Sequence, residues 1–264
     1  MSLSITILGC GSSGGVPRVG QGWGAADPAN PKNRRQRCSI LLRQTGAGGV
    51  TQILVDTGPD MRAQLLDQAV DRLDAILLTH HHADHIHGID DIRPLVIAGH
   101  KRIDIHMDAP TAAHVTTTFR YIFQMQPGSG YPPLLNECRL TDGTMVTVEG
   151  PGGPVPVLPF RLHHGEIDSL GFRFGAIAYT PDLNAIPDTS VAALEGLDTW
   201  IVDALRYTRH PSHFSLKETL GWIERLRPKR AILTNLHTDM DFETLRAQLP
   251  PNVEPAFDGM VVHA

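Results

Sequence analysis

The segment Thr79-His80-His81-His82-Ala83-Asp84-His85 places four histidines and one carboxylate within seven residues. It follows directly on the apolar run over residues 73–78, which reads as a buried strand. In extended chain, residues two apart point the same way, so His80 and His82 project together and His81 faces away. Asp84 and His85 follow a turn and face a second point close by. Imidazole and carboxylate ligands together suit divalent ions such as Zn2+, Mn2+ or Fe2+. Four such ligands are too few for two metals, but later strand ends supply more. His163 and His164 close the run over residues 155–162, Asp182 follows Tyr179-Thr180-Pro181, and His237 lies just past residues 231–234. Strand ends are where site residues concentrate.

Two other features invite a chemical reading. Gly9-Cys10-Gly11-Ser12-Ser13-Gly14 is literally G-x-G-x-x-G after a strand. A dinucleotide site needs a helix opening inside that motif, and Gly15-Val16-Pro17 follows instead. The segment therefore reads as a turn, or as a loop of bare backbone N–H groups beside a site. Lys32, Arg34, Arg35 and Arg37 form the densest basic run, and arginine forks match phosphate geometry. Arg34 and Arg35 are candidates to bind substrate, with a solvated surface loop as the alternative. Tyr207 and Arg209 are candidates to line the same pocket.

The elements that must position these groups follow from periodicity. Strands are expected at residues 4–8, 39–43, 52–56, 73–79, 103–107, 155–162, 171–179, 200–202 and 231–234. Helices are expected at 60–69, 111–123, 215–226 and 241–249, and a Pro/Gly-rich loop at 126–134. Ser215 followed by Glu218 is a capping-box pattern. This alternation favours one α/β domain over residues 1–264. Charged residues make up 19% and the net charge is −5, so no global basic field exists to hold a nucleic acid polymer, and none is expected as partner. Three cysteines without Cys-x-x-Cys spacing argue against a disulfide framework and a cysteine zinc site. The first ten residues lack the basic start of a signal peptide, and no run approaches about 18 apolar residues. A cytoplasmic address with no membrane partner is expected, with a homodimer left open.

His80-x-His82-x-Asp84-His85 after a Leu-Leu-Thr strand resembles the signature of the metallo-β-lactamase-fold hydrolases, and His164, Asp182 and His237 match the later metal motifs in order. Residues 9–17, 30–38, 55–60 and 179–182 are similar to the PhnP-like phosphoribosyl 1,2-cyclic phosphate phosphodiesterase branch. The resemblance implies a four-layer αββα sandwich and two divalent metal ions, Zn2+ or Mn2+. It implies that His80, His82 and His164 hold the first ion, that Asp84, His85 and His237 hold the second, and that Asp182 bridges them. It places Asp56 behind a ligand histidine and His213, in His210-Pro211-Ser212-His213, beside the leaving group. Two departures stand out. Residues 22–27 lack the cysteines of a structural zinc site, which is therefore not expected. Asn235 directly follows the strand-end Thr234, where the family often has histidine; His237, two positions later, is taken as the ligand.

Two divalent ions about 3.5–4 Å apart can bridge a water and bring its pKa toward 7. The expected function is a binuclear phosphodiesterase acting on a small phosphorylated sugar or nucleotide, a cyclic phosphate included. A metal-bridging hydroxide attacks, His213 protonates the departing oxygen, and Asp84 counts with His213 as catalytic. The alternatives are another hydrolase on the same fold (thioesterase, lactonase or nuclease) and a non-catalytic PqqB-like binding protein, since a fold alone does not choose its chemistry.

Overall fold

The computed structural model describes residues 2–264 apart from 126 and 129. One sheet is built from β1 (Ser2–Gly9), β2 (Ser39–Gly46), β3 (Gly49–Val55), β4 (Ala75–Leu77), β5 (Ile103–Met107) and β6 (Leu135–Arg139). The other is built from β7 (Val146–Val148), β8 (Val155–His164), β9 (Ile167–Phe174), β10 (Ile177–Thr180), β11 (Thr199–Asp203), β12 (Arg230–Thr234) and β13 (Val253–Pro255). The last strand, β14 (Val261–His263), returns to the first sheet beside β1, giving the orders β14-β1-β2-β3-β4-β5-β6 and β13-β12-β11-β10-β9-β8-β7.

Apolar residues run almost unbroken through the central strands because both faces of each sheet are covered. Along β2, Ile40 and Leu42 enter the core between the sheets, while Leu41 faces outward to α1 (Met61–Asp67), α3 (Arg93–Gly99) and α4 (Ala109–Thr118). Along β12, Ile232 enters the central core, while Ala231 and Leu233 pack on α7 (Leu216–Leu226) and α8 (Phe242–Gln248). Three apolar layers thus separate four layers of secondary structure, and the αββα sandwich implied by the resemblance is what the chain forms.

Two expected elements are divided. The helix expected at 111–123 starts earlier, at Ala109, because Asp108 caps it by accepting from Thr111 N at 3.0 Å and Pro110 suits its first turn. It breaks at Phe119 (φ −113°, ψ 38°), so residues 120–123 form a separate turn. The strand expected at 171–179 is a hairpin of β9 and β10, closed by Gly175 at φ 59°, a conformation that glycine adopts without steric cost. The capping box on α7 forms as expected. Residues 126 and 129 of the expected loop lie outside the described residues; its described remainder holds no helix or strand.

The topology gathers strand ends. β3, β4 and β5 run parallel, as do β10, β11 and β12. β8 shares the direction of β10 because two antiparallel pairings separate them. The carboxyl ends of β4, β8, β10, β11 and β12 therefore open on one edge of the sandwich, the usual place for ligands in α/β sheets. Leu170 N donates to Thr79 O at 2.8 Å and ties the two sheets together at that edge.

Candidate metal centre

Four imidazoles converge on Asp182, which follows β10 and is 3% exposed. His85 Nε2 lies 3.3 Å from Asp182 Oδ1. His80, His164 and His213 present Nε2 to Asp182 Oδ2 at 3.9, 3.6 and 3.9 Å. Asp84 Oδ2 stands 3.4 Å from His85 Nε2. His82, at the solvent mouth, brings Nδ1 to 3.1 Å from His164 Nε2. Three overlapping groups have all their ligand atoms within 4.8 Å of one another: His80–His82–His164, His80–His85–Asp182 and His164–Asp182–His213.

The rings are aimed by their other nitrogen. His85 Nδ1 meets Asp56 Oδ2 at 2.8 Å, and His164 Nδ1 meets Ser212 O at 2.6 Å. His80 Nδ1 meets Thr79 Oγ1 at 3.0 Å, and His213 Nδ1 meets Asp203 Oδ2 at 2.9 Å. Four imidazoles are thus pinned from behind, with Nε2 turned inward, the arrangement that orients metal-binding histidines. His81 points away and stacks on His114 at 4.7 Å.

Asp56 is fully buried at the end of β3, with φ 66°. That left-handed turn, tolerable for Asp, carries its carboxylate to Thr79 N and Oγ1 as well as to His85. Asp56→Ala is expected to weaken divalent-cation affinity about 10–100-fold in a chelator competition; unchanged affinity would remove Asp56 from the site.

The charge pattern is set by burial against neighbours. Burial, then His85, pushes His80 well down, so it is a neutral donor. Burial pushes His164 down to about 4. Burial opposes a charged His85, but Asp182, Asp84 and Asp56 outweigh it and raise its pKa well up. Burial opposes the Asp182 carboxylate, yet His85, His213 and His164 hold it ionised. Burial also opposes a charged His213, and Asp203, Asp182 and Asp84 raise it to about 9. His80 Nε2 is buried without any hydrogen-bond partner among the described residues. A buried orphan nitrogen among carboxylates and imidazoles fits a divalent cation, which would satisfy it.

His237 does not join the cluster. Its Nε2 lies 2.7 Å from Arg18 Nη1, and its Nδ1 lies 3.2 Å from Asp239 Oδ1. Asn235 takes the inner position, donating from Nδ2 to Asp182 Oδ1 at 3.2 Å and to Pro181 O at 3.0 Å. The physical reason is the left-handed turn at Asn235 (φ 60°), which diverts the following residues from the site. His163 is half exposed and bonds Asp168.

Arg35 is not a substrate contact. It is 2% exposed and donates to Met240 O at 2.7 Å and Asn33 Oδ1 at 3.1 Å, bracing the loop that follows β12. Arg35→Ala is expected to lower stability by about 2–4 kcal/mol in urea unfolding. A change below ~0.5 kcal/mol would make the bracing unimportant. Arg34 is exposed, with its guanidinium 5.5 Å from the Trp23 ring centroid. Tyr207 is partly exposed near Asp239 and Asp241, where burial and then those carboxylates raise its phenol.

Sequence reasoning missed Asp203, and it weighed Asn235 but chose His237 for the last position. Asp203 ends the buried strand Thr199–Asp203, is fully buried and orients His213. The available signal was a carboxylate closing an otherwise apolar run, which is rarely placed without a partner.

The chain matches the family described as Beta-lactamase superfamily domain over residues 51–235. It is similar to a crystal structure of a new diphosphatase from the PhnP family, with 33% identity, a TM-score of 0.89, and coverage of 100% of this chain and 98% of that one. It is 31% identical over 257 residues to an octanoyltransferase of Porphyromonas gingivalis, covering 96% of this chain and 50% of that protein. It is 31% identical over 150 residues to a ribonuclease Z of Bradyrhizobium sp., covering 54% of this chain and 46% of that protein. The chain spans about half the length of these two curated relatives.

Proposed function

Since the chain belongs to the β-lactamase superfamily, in its PhnP family, we propose that it is a binuclear metal-dependent phosphodiesterase acting on a small phosphorylated sugar or nucleotide. The observation that carries this reading is the ring of inward-facing Nε2 atoms around Asp182, with two of them, on His85 and His213, backed by buried carboxylates. The diphosphatase named for the 33% identical structure and the ribonuclease Z relative both act on phosphorus–oxygen bonds, which supports the same class. The octanoyltransferase activity is not carried over, because that protein extends well beyond the matched segment.

In this reading His80, His82 and His164 would hold one divalent ion, Asp84 and His85 would hold a second, and Asp182 would contribute to both. Zn2+ and Mn2+ both suit this donor set. Asn235, not His237, stands at the last position, so its neutral carboxamide replaces an imidazole beside Asp182. Bound divalent ions would supply Lewis acidity toward phosphoryl oxygens and would lower the pKa of water. The chain's own residues do the rest. His82, at the mouth, borders the path of the entering substrate. Asp203 fixes His213 with a proton on Nδ1, so that Nε2 is the atom that delivers a proton to the departing oxygen. The free cysteines Cys10 and Cys38 are buried, in keeping with a cytoplasmic address.

The test is one preparation analysed for metals and assayed against bis-aryl phosphodiester, cyclic nucleotide, cyclic ribose phosphate, diphosphate, thioester and lactam. Divalent metal with phosphodiester or diphosphate turnover is expected. Activity confined to thioester or lactam would overturn the proposal.

A further inference from the structure

His237, displaced from the metal centre, holds an arginine. Arg18 Nη1 lies 2.7 Å from His237 Nε2. A guanidinium has only donors, so Nε2 is the acceptor and the ring proton sits on Nδ1, facing Asp239 Oδ1 at 3.2 Å. The group that fixes Arg18 is therefore an uncharged imidazole. Among the described residues no carboxylate forms an ion pair with Arg18, so its charge is not neutralised by a direct contact.

The backbone makes room for this side chain. A Cβ on Gly14 would collide with Arg18 Nε and would lie 3.0 Å from both Cζ and Nη2. The last glycine of the Gly9–Gly14 motif thus has a reason unrelated to a dinucleotide: the guanidinium lies across it. The loop before Arg18 is sewn to the metal centre. Leu236 N donates to Cys10 O at 2.8 Å and Ser12 N to Leu236 O at 3.3 Å. Leu236 sits between Asn235, which touches Asp182, and His237, which holds Arg18. On the other side, the His210 ring centroid is 5.1 Å from that of His213. Burial, then the charges of His213, Arg206 and His237, lower the pKa of His210, so His210 lies within electrostatic reach of both His213 and His237.

We infer that Arg18, braced by His237, receives a second phosphoryl group of the substrate, next to the one attacked at the metal centre. The inference rests on the phosphodiesterase reading and narrows it to substrates with two phosphoryl groups, such as diphosphates and phosphorylated sugar phosphodiesters. With Nη1 committed to His237, the remaining donors of Arg18 present an edge suited to paired phosphate oxygens. His237 is a positioning residue acting through Arg18.

Two substrates separate this role from a structural one: ADP-ribose, which carries a diphosphate, and bis(p-nitrophenyl) phosphate, which has one phosphoryl group. Arg18→Ala is expected to lower kcat/KM for ADP-ribose about 10- to 100-fold more than for the bis-aryl ester, chiefly through KM. Arg18→Lys should recover part of the loss. His237→Ala should follow Arg18→Ala, and His237→Gln, whose amide oxygen can still accept from Arg18, should recover part. Equal losses on both substrates, or none, overturn the inference. Should the unaltered protein turn over neither substrate, nor a cyclic nucleotide or cyclic ribose phosphate, the phosphodiesterase reading itself fails. Calorimetric binding of inorganic pyrophosphate then decides the Arg18 site: binding at least ~10-fold weaker in Arg18→Ala supports it, and equal affinity overturns it.

Discussion

Asp182→Ala is expected to strip the protein of divalent metal and, with it, of phosphodiesterase turnover. Removal of a residue that merely orients a metal ligand costs about 10–100-fold in affinity, and Asp182 stands closer to the centre than that. His80, His85, His164 and His213 all turn Nε2 toward its carboxylate within 3.9 Å. The neighbouring acids are placed differently: Asp84 forms its ion pair with His85, and Asp56 and Asp203 bond the outer nitrogens of His85 and His213. The measurement is metal per chain by mass spectrometry beside kcat, with far-UV circular dichroism to show that the fold persists. A full metal complement with normal turnover would sink the binuclear assignment.

The second large effect concerns His213. His213→Ala is expected to retain metal and to lose roughly 10²–10⁴-fold in kcat, the usual contribution of a positioned proton donor. The size of the loss should depend on the leaving group. A p-nitrophenolate departs without help, whereas a sugar alkoxide needs the proton. The defect should therefore be largest on alkyl or sugar phosphodiesters and small on bis(p-nitrophenyl) phosphate. Asp203→Asn should show the same dependence, because an amide can no longer hold His213 in the tautomer that presents Nε2. An equal loss on both leaving groups, accompanied by loss of metal, would make His213 a ligand, since its Nε2 also lies among possible metal-binding atoms.

Much of this centre was legible before any coordinates. His80, His82, Asp84 and His85 follow a short apolar strand, where period-two geometry dictates which rings face together. His164 and Asp182 were legible as polar residues closing apolar runs. The misplacements share a cause: backbone turns and burial that side-chain type alone does not reveal. By residue type His237 is the natural last ligand, but the positive φ at Asn235 sends it elsewhere. Arg35 looked like surface charge because basic runs usually are; its carbonyl partner comes from Met240, far away in sequence. Asp203 closes an apolar run as Asp182 does, but its role shows only once the chain folds His213 back onto it. The hairpin at Gly175 was hidden because apolar residues flank that glycine on both sides.

The hydrogen bond from Leu170 N to Thr79 O marks the edge where the two sheets meet, and the site draws His80, His82, Asp84 and His85 from one sheet and His164 and Asp182 from the other. A cation bound there is a ligand of the native arrangement only, since the unfolded chain scatters these groups. By mass action it stabilises that arrangement by ~2.7 kcal/mol at a hundred times its dissociation constant. Metal supply would then govern mechanical cohesion, and chelation should loosen the seam between the sheets before it disturbs either outer helical layer.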